Sequence, residues 1–245
     1  HSASYAVESY QSLFLKAHWP IEYLAACINN FGGFYRTEFY VHEARMVGAQ
    51  VEEPCVNRGG WEADVEGNAL ILGFNLVRGV EAGSVGEWLR ERSTNGPFRS
   101  LADFVNRVAV SLDQLTLLIR AGGFRFTGCT QQALLWEAHF LLGHRVHEPH
   151  QGTLFSQEPA PFQLPPLEQG VLEHCFDQIE LLGFPLTPPF NLLTDEAKRT
   201  AKQAIPAQEL PKYIGREVAG VGYLVTVKET QTSKGERMAF GCFLD

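Results

Sequence analysis

The spacing of apolar residues changes three times along this chain of 245 residues, and each change limits the folds open to it. Residues 3–17 place apolar side chains at three-to-four spacing, which predicts a helix. Residues 61–74 alternate apolar and polar side chains, which predicts a β-hairpin. Residues 75–142 return to short helical patterns, whereas residues 222–228 and 236–244 are again typical of strands. We therefore expect a mainly α-helical fold with a small β component.

A polar stretch, residues 144–170, contains five prolines and few apolar side chains, which is typical of a linker. No apolar run approaches the roughly 18 residues that cross a bilayer, so no membrane partner is expected. The five cysteines are scattered without a C-x-x-C pair, which favours free thiols in a reducing cytoplasm and no metal site. His1 stands in place of an initiator methionine, so we expect a piece of a longer protein.

The net charge of -8 argues against a general polyanion binder. Between Lys212 and Arg237, however, five basic residues outnumber three acidic ones. Any contact with nucleic acid should therefore be local, through backbone amides or through small basic patches.

The first candidate for such a contact is a glycine-punctuated turn between two short helices, in residues 76–85. In a helix-hairpin-helix, glycines let backbone N–H groups approach a phosphate, and the second helix adds its positive end. Glu81 occupies the position usually filled by a second glycine, where a carboxylate would repel phosphate. A helical hairpin that only packs is the alternative. The candidate DNA-binding residues are Gly79, Val80, Gly83 and Ser84, together with a similar, weaker pair, Gly122 and Gly123.

The terminal strand pair is the second candidate, because basic residues on a β-hairpin can follow a nucleic-acid backbone. OB-folds bind single strands in this way. The candidate residues are Lys228, Lys234 and Arg237. An OB barrel has five strands, and only two or three are visible before the chain ends, so we expect a truncated barrel. No carboxylate cluster suited to two-metal phosphoryl transfer is visible.

The third candidate is a short peptide in the linker, Gln151-Gly152-Thr153-Leu154-Phe155. A Leu-Phe pair surrounded by polar residues can insert two apolar anchors into a shallow pocket, and its exposure favours an interaction. A loop anchored back onto its own domain is the alternative. The residues expected to dock are Gln151, Leu154 and Phe155.

Several segments, in order along the chain, resemble one family. The first residues, His1-Ser2-Ala3-Ser4-Tyr5-Ala6, resemble the end of the fingers domain of the bacterial DNA polymerase III alpha subunit. Stretches similar to the same family follow at Pro54-Cys55-Val56-Asn57, Gly96-Pro97-Phe98-Arg99-Ser100-Leu101-Ala102-Asp103-Phe104, Ile119-Arg120-Ala121-Gly122-Gly123-Phe124 and Thr232-Ser233-Lys234-Gly235-Glu236-Arg237-Met238-Ala239. The resemblance covers nearly the whole chain, and these segments follow the same order as in the family.

The resemblance implies an arrangement of five regions along the chain. They are the end of the fingers domain (1–74), a tandem helix-hairpin-helix domain (75–143), a linker with a clamp-binding peptide (144–170), a helical connector (171–212) and the N-terminal part of an OB-fold (213–245).

The resemblance also implies a C-family replicative polymerase that elongates DNA with magnesium and dNTPs. In that family the catalytic carboxylates lie in the palm, upstream of His1, so we expect no catalytic residue, no cofactor and no polymerase activity in this chain alone. The implied partners are primer-template duplex, single-stranded template, other replicase subunits and the β sliding clamp, which Gln151, Leu154 and Phe155 would bind. An error-prone paralogue and a non-catalytic DNA-binding scaffold are the alternatives.

Overall fold

The computed structural model describes residues 2–31, 35–143 and 170–244. The chain forms two compact units, His1–Leu186 and Thr187–Asp245. The boundary between the units falls inside the predicted connector, residues 171–212.

The first unit is built mainly from helices around one three-stranded sheet. Its helices are α1 (Ser2–His18), α2 (Pro20–Asn29), α3 (Thr37–Met46), α4 (Ala82–Asn95), α5 (Leu101–Arg107), α6 (Leu112–Arg120), α7 (Gln131–Gly143) and α8 (Val171–Leu182). Its strands are β1 (Gln50–Glu52), β2 (Asp64–Glu66) and β3 (Ala69–Ile71), and 3₁₀ turns lie at Phe74–Leu76 and Arg125–Thr127. The predicted mainly α-helical fold with a small β component is confirmed.

Local sequence accounts for several of these boundaries. The helix predicted at residues 3–17 is α1, and Pro20 opens α2, where its missing N–H costs nothing. Ser100 and Ser111 each accept a hydrogen bond at the start of the helix that follows, as N-cap residues do. Gly183, with a φ of +90°, ends α8 in the left-handed conformation that glycine tolerates.

The sheet has the strand order β1-β3-β2, with β1 parallel to β3 and β2 antiparallel to it. The predicted hairpin at residues 61–74 forms, although each of its strands has only three residues. Strand β1 could not be predicted from the sequence. Its three residues are too few to show alternation, and its partner strand lies 19 positions further on, at the register Gln50 to Ala69.

A column of buried aromatic rings joins the helical hairpins into one core. Phe74, Trp88, Phe104 and Phe124 are all fully buried. Their ring centroids lie 5.1, 5.9 and 5.1 Å apart in that order, in edge-to-face arrangements. Such pairs stabilise a core beyond the area that they bury. The 3₁₀ turn, α4, α5 and the turn after α6 are therefore held in one rigid frame.

The second unit contains helix α9 (Asp195–Ala201), 3₁₀ turns at Pro189–Leu192 and Ala207–Tyr213, and strands β4 (Tyr223–Gln231) and β5 (Arg237–Leu244). The two strands predicted at the end of the chain pair antiparallel, with a register shift between Leu224 and Thr226. The predicted OB barrel is not confirmed. Within residues 187–244, β4 and β5 form a two-stranded sheet, and no closed sheet is present there.

Candidate nucleic-acid interface

The first glycine-rich turn, Gly79–Ser84, leads directly into α4 and is called the first hairpin below. Gly79 has a φ of +84°, a conformation that glycine adopts without strain. Val80 is half-buried and packs against the core. Glu81 is the N-cap residue of α4 with φ -89° and ψ 126°, an extended conformation open to any residue. The glutamate in place of a glycine therefore imposes no backbone strain.

The N-terminus of α4 has no side-chain cap. The helix begins at Ala82, and the side chain of Glu81 makes no capping hydrogen bond. The first N–H groups of a helix have no intrahelical acceptor and carry the positive end of the helix dipole. Ala82 and Gly83 are exposed and Ser84 is half-buried, so an anion can reach these amides from solvent.

The three helices that follow α4 have side-chain caps. Ser100 accepts from the Asp103 N–H at 3.0 Å, and Ser111 accepts from the Gln114 N–H at 3.2 Å. Thr130 accepts from the Ala133 N–H at 3.3 Å at the start of α7. These caps occupy an amide that an anion would otherwise need, so α4 differs from the three helices that follow it in having its first turn open.

Charge around the first hairpin is mixed. The backbone N–H of Arg78 donates to the Leu181 carbonyl at 2.9 Å, and its guanidinium donates to the Glu180 carbonyl at 3.2 Å. Arg78 therefore lies at the C-terminal end of α8, where the helix dipole favours a cation. Glu81 is exposed on the other side of Gly79. An anion at this turn would meet one cation and one carboxylate besides the backbone amides.

The second glycine pair, Gly122 and Gly123, follows α6 and is called the second hairpin below. Both residues are buried. The Gly122 N–H donates to the Ile119 carbonyl at 3.0 Å, and the Gly123 N–H donates to the Leu118 carbonyl at 2.8 Å. These bonds close the C-terminal end of α6 and use both amides. Neither glycine amide of the second hairpin is therefore available to an anion.

Acidic side chains surround the second hairpin. Glu53 lies directly over Gly122, where a Cβ atom would overlap its carboxylate. Arg120 donates to Asp177 at 2.6 Å and also to the Glu180 carboxylate. These contacts join α6 to α8 and would disfavour a phosphate at this position.

A second polar cluster fastens α8 beside Glu53. The His174 Nε2 atom lies 2.7 Å from Glu53 Oε1, and this hydrogen bond raises the pKa of His174 although burial opposes the shift. The buried Gln178 donates to Glu53 at 2.6 Å and accepts from the Leu186 N–H at 2.8 Å. This cluster could not be predicted from the sequence, because Glu53 and Gln178 are 125 positions apart.

The three basic residues of the terminal strand pair do not share one face. Lys228 is opposite Phe240 and Arg237 is opposite Gln231 in the β4–β5 register. Alternation along a strand then places Lys228 and Arg237 on opposite faces of the sheet. Lys234 lies in the connecting turn, and all three side chains are exposed. A strand of nucleic acid lying on one face could contact only some of them.

The predicted clamp-binding residues Gln151, Leu154 and Phe155 lie outside the described residues. The described chain stops at Gly143, the last residue of α7, and resumes at Gly170. The docking of this peptide stays a prediction. Among the helices of the described residues, none combines the length and the apolar character needed to cross a membrane.

Comparison with known proteins gives a domain match and a set of relatives. Residues 48–134, a range that contains both hairpins, match the helix-hairpin-helix motif family. Over half of its own length, the chain is 35% identical to the DNA polymerase III subunit alpha of Thermus aquaticus. Over its whole length, the chain is 27% identical to the DNA polymerase III subunit alpha of Treponema pallidum. It is 28% identical to the error-prone DNA polymerase of Allorhizobium ampelinum over 96% of its length.

The chain spans only 10% of the length of the Thermus protein and 22% of each of the other two. The similarity to the Treponema protein nevertheless runs along the whole chain. The chain therefore resembles one segment of the bacterial DNA polymerases called DNA polymerase III subunit alpha and error-prone DNA polymerase.

Proposed function

We propose that this segment holds DNA for a template-directed DNA polymerase and that its main contact is the first turn of α4. The observation that carries the proposal is the uncapped N-terminus of α4 within the region that matches the helix-hairpin-helix motif. Backbone amides bind phosphate whatever the base sequence, so the contact positions DNA without reading it. Such a role suits an enzyme that must move along any template.

The charge of the chain limits how strong this binding can be. With a net charge of -8, the chain lacks a broad positive field. The first hairpin offers three backbone amides, which suffice for one or two phosphates. We therefore expect weak binding with a shallow dependence on salt, about 0.9 in log-log slope for each phosphate on duplex DNA.

The test places a carboxylate at the proposed contact. Position 83 is exposed and has open space around its Cα, so Gly83→Asp should fold normally and repel phosphate. Gly86→Asp is the matched control, since it adds the same charge one turn further along α4, also in open space. We expect fluorescence anisotropy to show about tenfold weaker duplex binding for Gly83→Asp, which corresponds to ~1.4 kcal/mol. Equal affinity of the two variants would contradict the proposal.

The terminal strand pair is the second proposed DNA contact, through Lys228, Lys234 and Arg237. Their exposure supports a contact, but their division between two faces limits each bound strand to a part of the set. We expect the triple alanine variant to weaken single-stranded binding by a few-fold and to lower the salt slope by about 0.7 for each lost phosphate. Unchanged binding would remove this patch from the proposal.

The linker peptide Gln151–Phe155 is proposed to dock on the β sliding clamp. The support is a Leu-Phe pair in an otherwise polar stretch, in a chain that resembles these polymerases. Buried apolar anchors supply most of the affinity of such peptides. Calorimetric titration of the cognate clamp should show a loss of several kcal/mol, roughly the value of two hot spots, for Leu154→Ala/Phe155→Ala. Gly152→Ala/Thr153→Ala, the control from the same peptide, should bind normally.

The whole polymerase, rather than this segment, is proposed to carry out magnesium-dependent nucleotide addition. Purified as it stands, the chain should not extend a primer in the presence of magnesium and dNTPs. Extension that is abolished by substituting a carboxylate of this chain would contradict that expectation. Relatives of both the replicative and the error-prone kind match the chain, and the error frequency of the whole polymerase is the measurement that separates them.

A further inference from the structure

The amide side chain of Gln114, on α6, forms hydrogen bonds with the backbone of the first hairpin. Its Nε2 atom donates to the Gly79 carbonyl at 2.8 Å, and its Oε1 atom accepts from the Glu81 N–H at 3.1 Å. One side chain thus satisfies a donor and an acceptor on either side of Val80. A glutamine amide is suited to this, because it carries both kinds of group at a fixed separation.

Gln114 is itself held in place by α6. It occupies the third position of that helix, and its N–H donates to the hydroxyl of the N-cap residue Ser111. The helix is anchored in the core by Leu115 and Leu118, which are fully buried. The helix that carries Gln114 is therefore a rigid support for the hydrogen bonds to the first hairpin.

The turn also lies against α6 at a second point. A Cβ atom at Gly79 would lie 3.2 Å from the Leu117 side chain, one turn after Gln114 on the same helix. The hairpin is thus supported by one apolar and one polar contact from one helix face. Both contacts fall within residues 79–81, immediately before the uncapped amides of Ala82, Gly83 and Ser84.

We propose that Gln114 is the positioning residue of the first hairpin, and that it fixes the direction in which the open amides of α4 meet a phosphate. The inference rests on the proposed DNA contact at α4. Gln114 does not touch the phosphate; it acts through the backbone of Gly79 and Glu81. Without it, a turn built on a left-handed glycine regains the freedom that glycine allows, and bound phosphate must order it again.

The experiment compares three single variants of the chain. Gln114→Met keeps the length of the side chain and loses both hydrogen bonds. Gln114→Glu, when ionised, can accept from the Glu81 N–H but cannot donate to the Gly79 carbonyl. Ser111→Ala is the control, because it removes only a backbone cap of the same helix, while the buried Leu115 and Leu118 still anchor the helix that carries the Gln114 side chain.

Duplex affinity, salt slope and amide hydrogen exchange are measured at a temperature where all variants are folded. We expect Gln114→Met to bind about fivefold more weakly, with a salt slope lower by about 0.9 if one phosphate contact is lost. Exchange at Glu81 should become faster. Ser111→Ala should lower the melting temperature and leave the affinity and slope unchanged.

A pH series separates positioning from simple destabilisation. Protonated Gln114→Glu again carries one donor and one acceptor, so its affinity relative to the original chain should recover as pH falls towards about 4.3. A loss of structure would not recover in this way. The original chain and Gln114→Met, measured in parallel, correct for the titration of other carboxylates.

Two different failures are distinguishable. Weak binding by Gly83→Asp together with unchanged affinity and slope for Gln114→Met would overturn the positioning role and leave the DNA contact standing. Unchanged binding by Gly83→Asp would overturn the proposed contact, and the inference with it.

Discussion

The two glycine-rich hairpins of the helix-hairpin-helix region use glycine in opposite ways. In the first hairpin, Gly79 precedes α4 and Gly83 lies in its first turn, where the backbone amides have no side-chain cap. In the second, Gly122 and Gly123 follow a helix, and their amides close its last turn. Glycine alone therefore does not create a phosphate site. A phosphate needs backbone amides that lack an acceptor within the protein. The first turn of α4 leaves such amides, whereas the amides at the C-terminal end of α6 already donate to carbonyls of that helix.

The residues around the two hairpins also differ. The second hairpin is covered by Glu53 and flanked by the carboxylates that bind Arg120, so it is joined to α8. Next to the first hairpin, Arg78 donates hydrogen bonds to backbone carbonyls at the C-terminal end of α8, and no carboxylate of the described residues lies over Gly79 or Gly83. We infer that the second hairpin stabilises the fold, whereas the first one is the proposed DNA contact. Four predictions test that division.

The largest expected effect is on stability. Gly122→Ala should destabilise the fold by about 2–4 kcal/mol, because it strains a residue with φ +81° and displaces Glu53 from His174 and Gln178. The matched Gly83→Ala change, in open space on α4, should be neutral or should stabilise the fold by up to about 1 kcal/mol. Denaturant unfolding measures both, and equal costs would refute the division.

The next effect concerns the ion pairs that join α6 to α8. Arg120→Met removes the contacts with Asp177 and Glu180 and should cost about 1–2 kcal/mol of unfolding free energy, since the site is partly exposed. DNA affinity should not change. Arg90→Met is the control, because Arg90 is exposed and donates only to its own helix, at Gly86. A loss of DNA affinity in Arg120→Met would give the second hairpin a binding role.

The third effect is a pH dependence of stability at His174. Its pKa is raised above 6.5 by the hydrogen bond to Glu53, with a further contribution from the charge of Asp177. The protonated imidazole therefore stabilises the folded state fully below about pH 6.5, and this contribution disappears as pH rises through the raised pKa. His174→Gln should cost about 1 kcal/mol near pH 5.5 and less near pH 9. A cost that is equal at both pH values would show that the pair is not charged.

The smallest effect is on DNA affinity at the first hairpin. Glu81→Gln removes a carboxylate next to the open amides and keeps an extended backbone that any residue can adopt. We expect about twofold tighter binding at low salt, in line with roughly 0.5 kcal/mol for a charge at a helix end, and a smaller gain at high salt. Glu87→Gln, further along α4, is the control and should change little. Weaker binding by Glu81→Gln would mean that the carboxylate takes part in the contact.

Much of the fold could be predicted from local sequence. Apolar periodicity predicted α1, and local residues account for the starts of three further helices: Pro20 for α2, Ser100 for α5 and Ser111 for α6. These features depend on neighbours within one or two helical turns, so a single sequence contains the information. The OB barrel was expected from the terminal strand pair and from the resemblance, and it is not confirmed in the described residues, because closure depends on strands beyond one hairpin.

Some features of the candidate site could also be predicted from the sequence, and others could not. The sequence located the glycines of both hairpins, but it could not tell which pair keeps its amides open. That difference depends on contacts between positions far apart, such as Glu53 with Gly122. Strand β1 was missed for the same reason, since its partner lies in a non-local parallel register.

The clearest case is the pair Ser111 and Gln114. The sequence by itself determined the N-cap, because a serine hydroxyl and the amide three residues later are brought together by the helix alone. The destination of the Gln114 side chain was decided only by the tertiary structure. A local capping box would return it to its own helix, but it reaches Gly79 and Glu81, more than 30 positions away. Local hydrogen bonds are encoded within one helical turn, whereas the packing of α6 against the first hairpin depends on the assembled core.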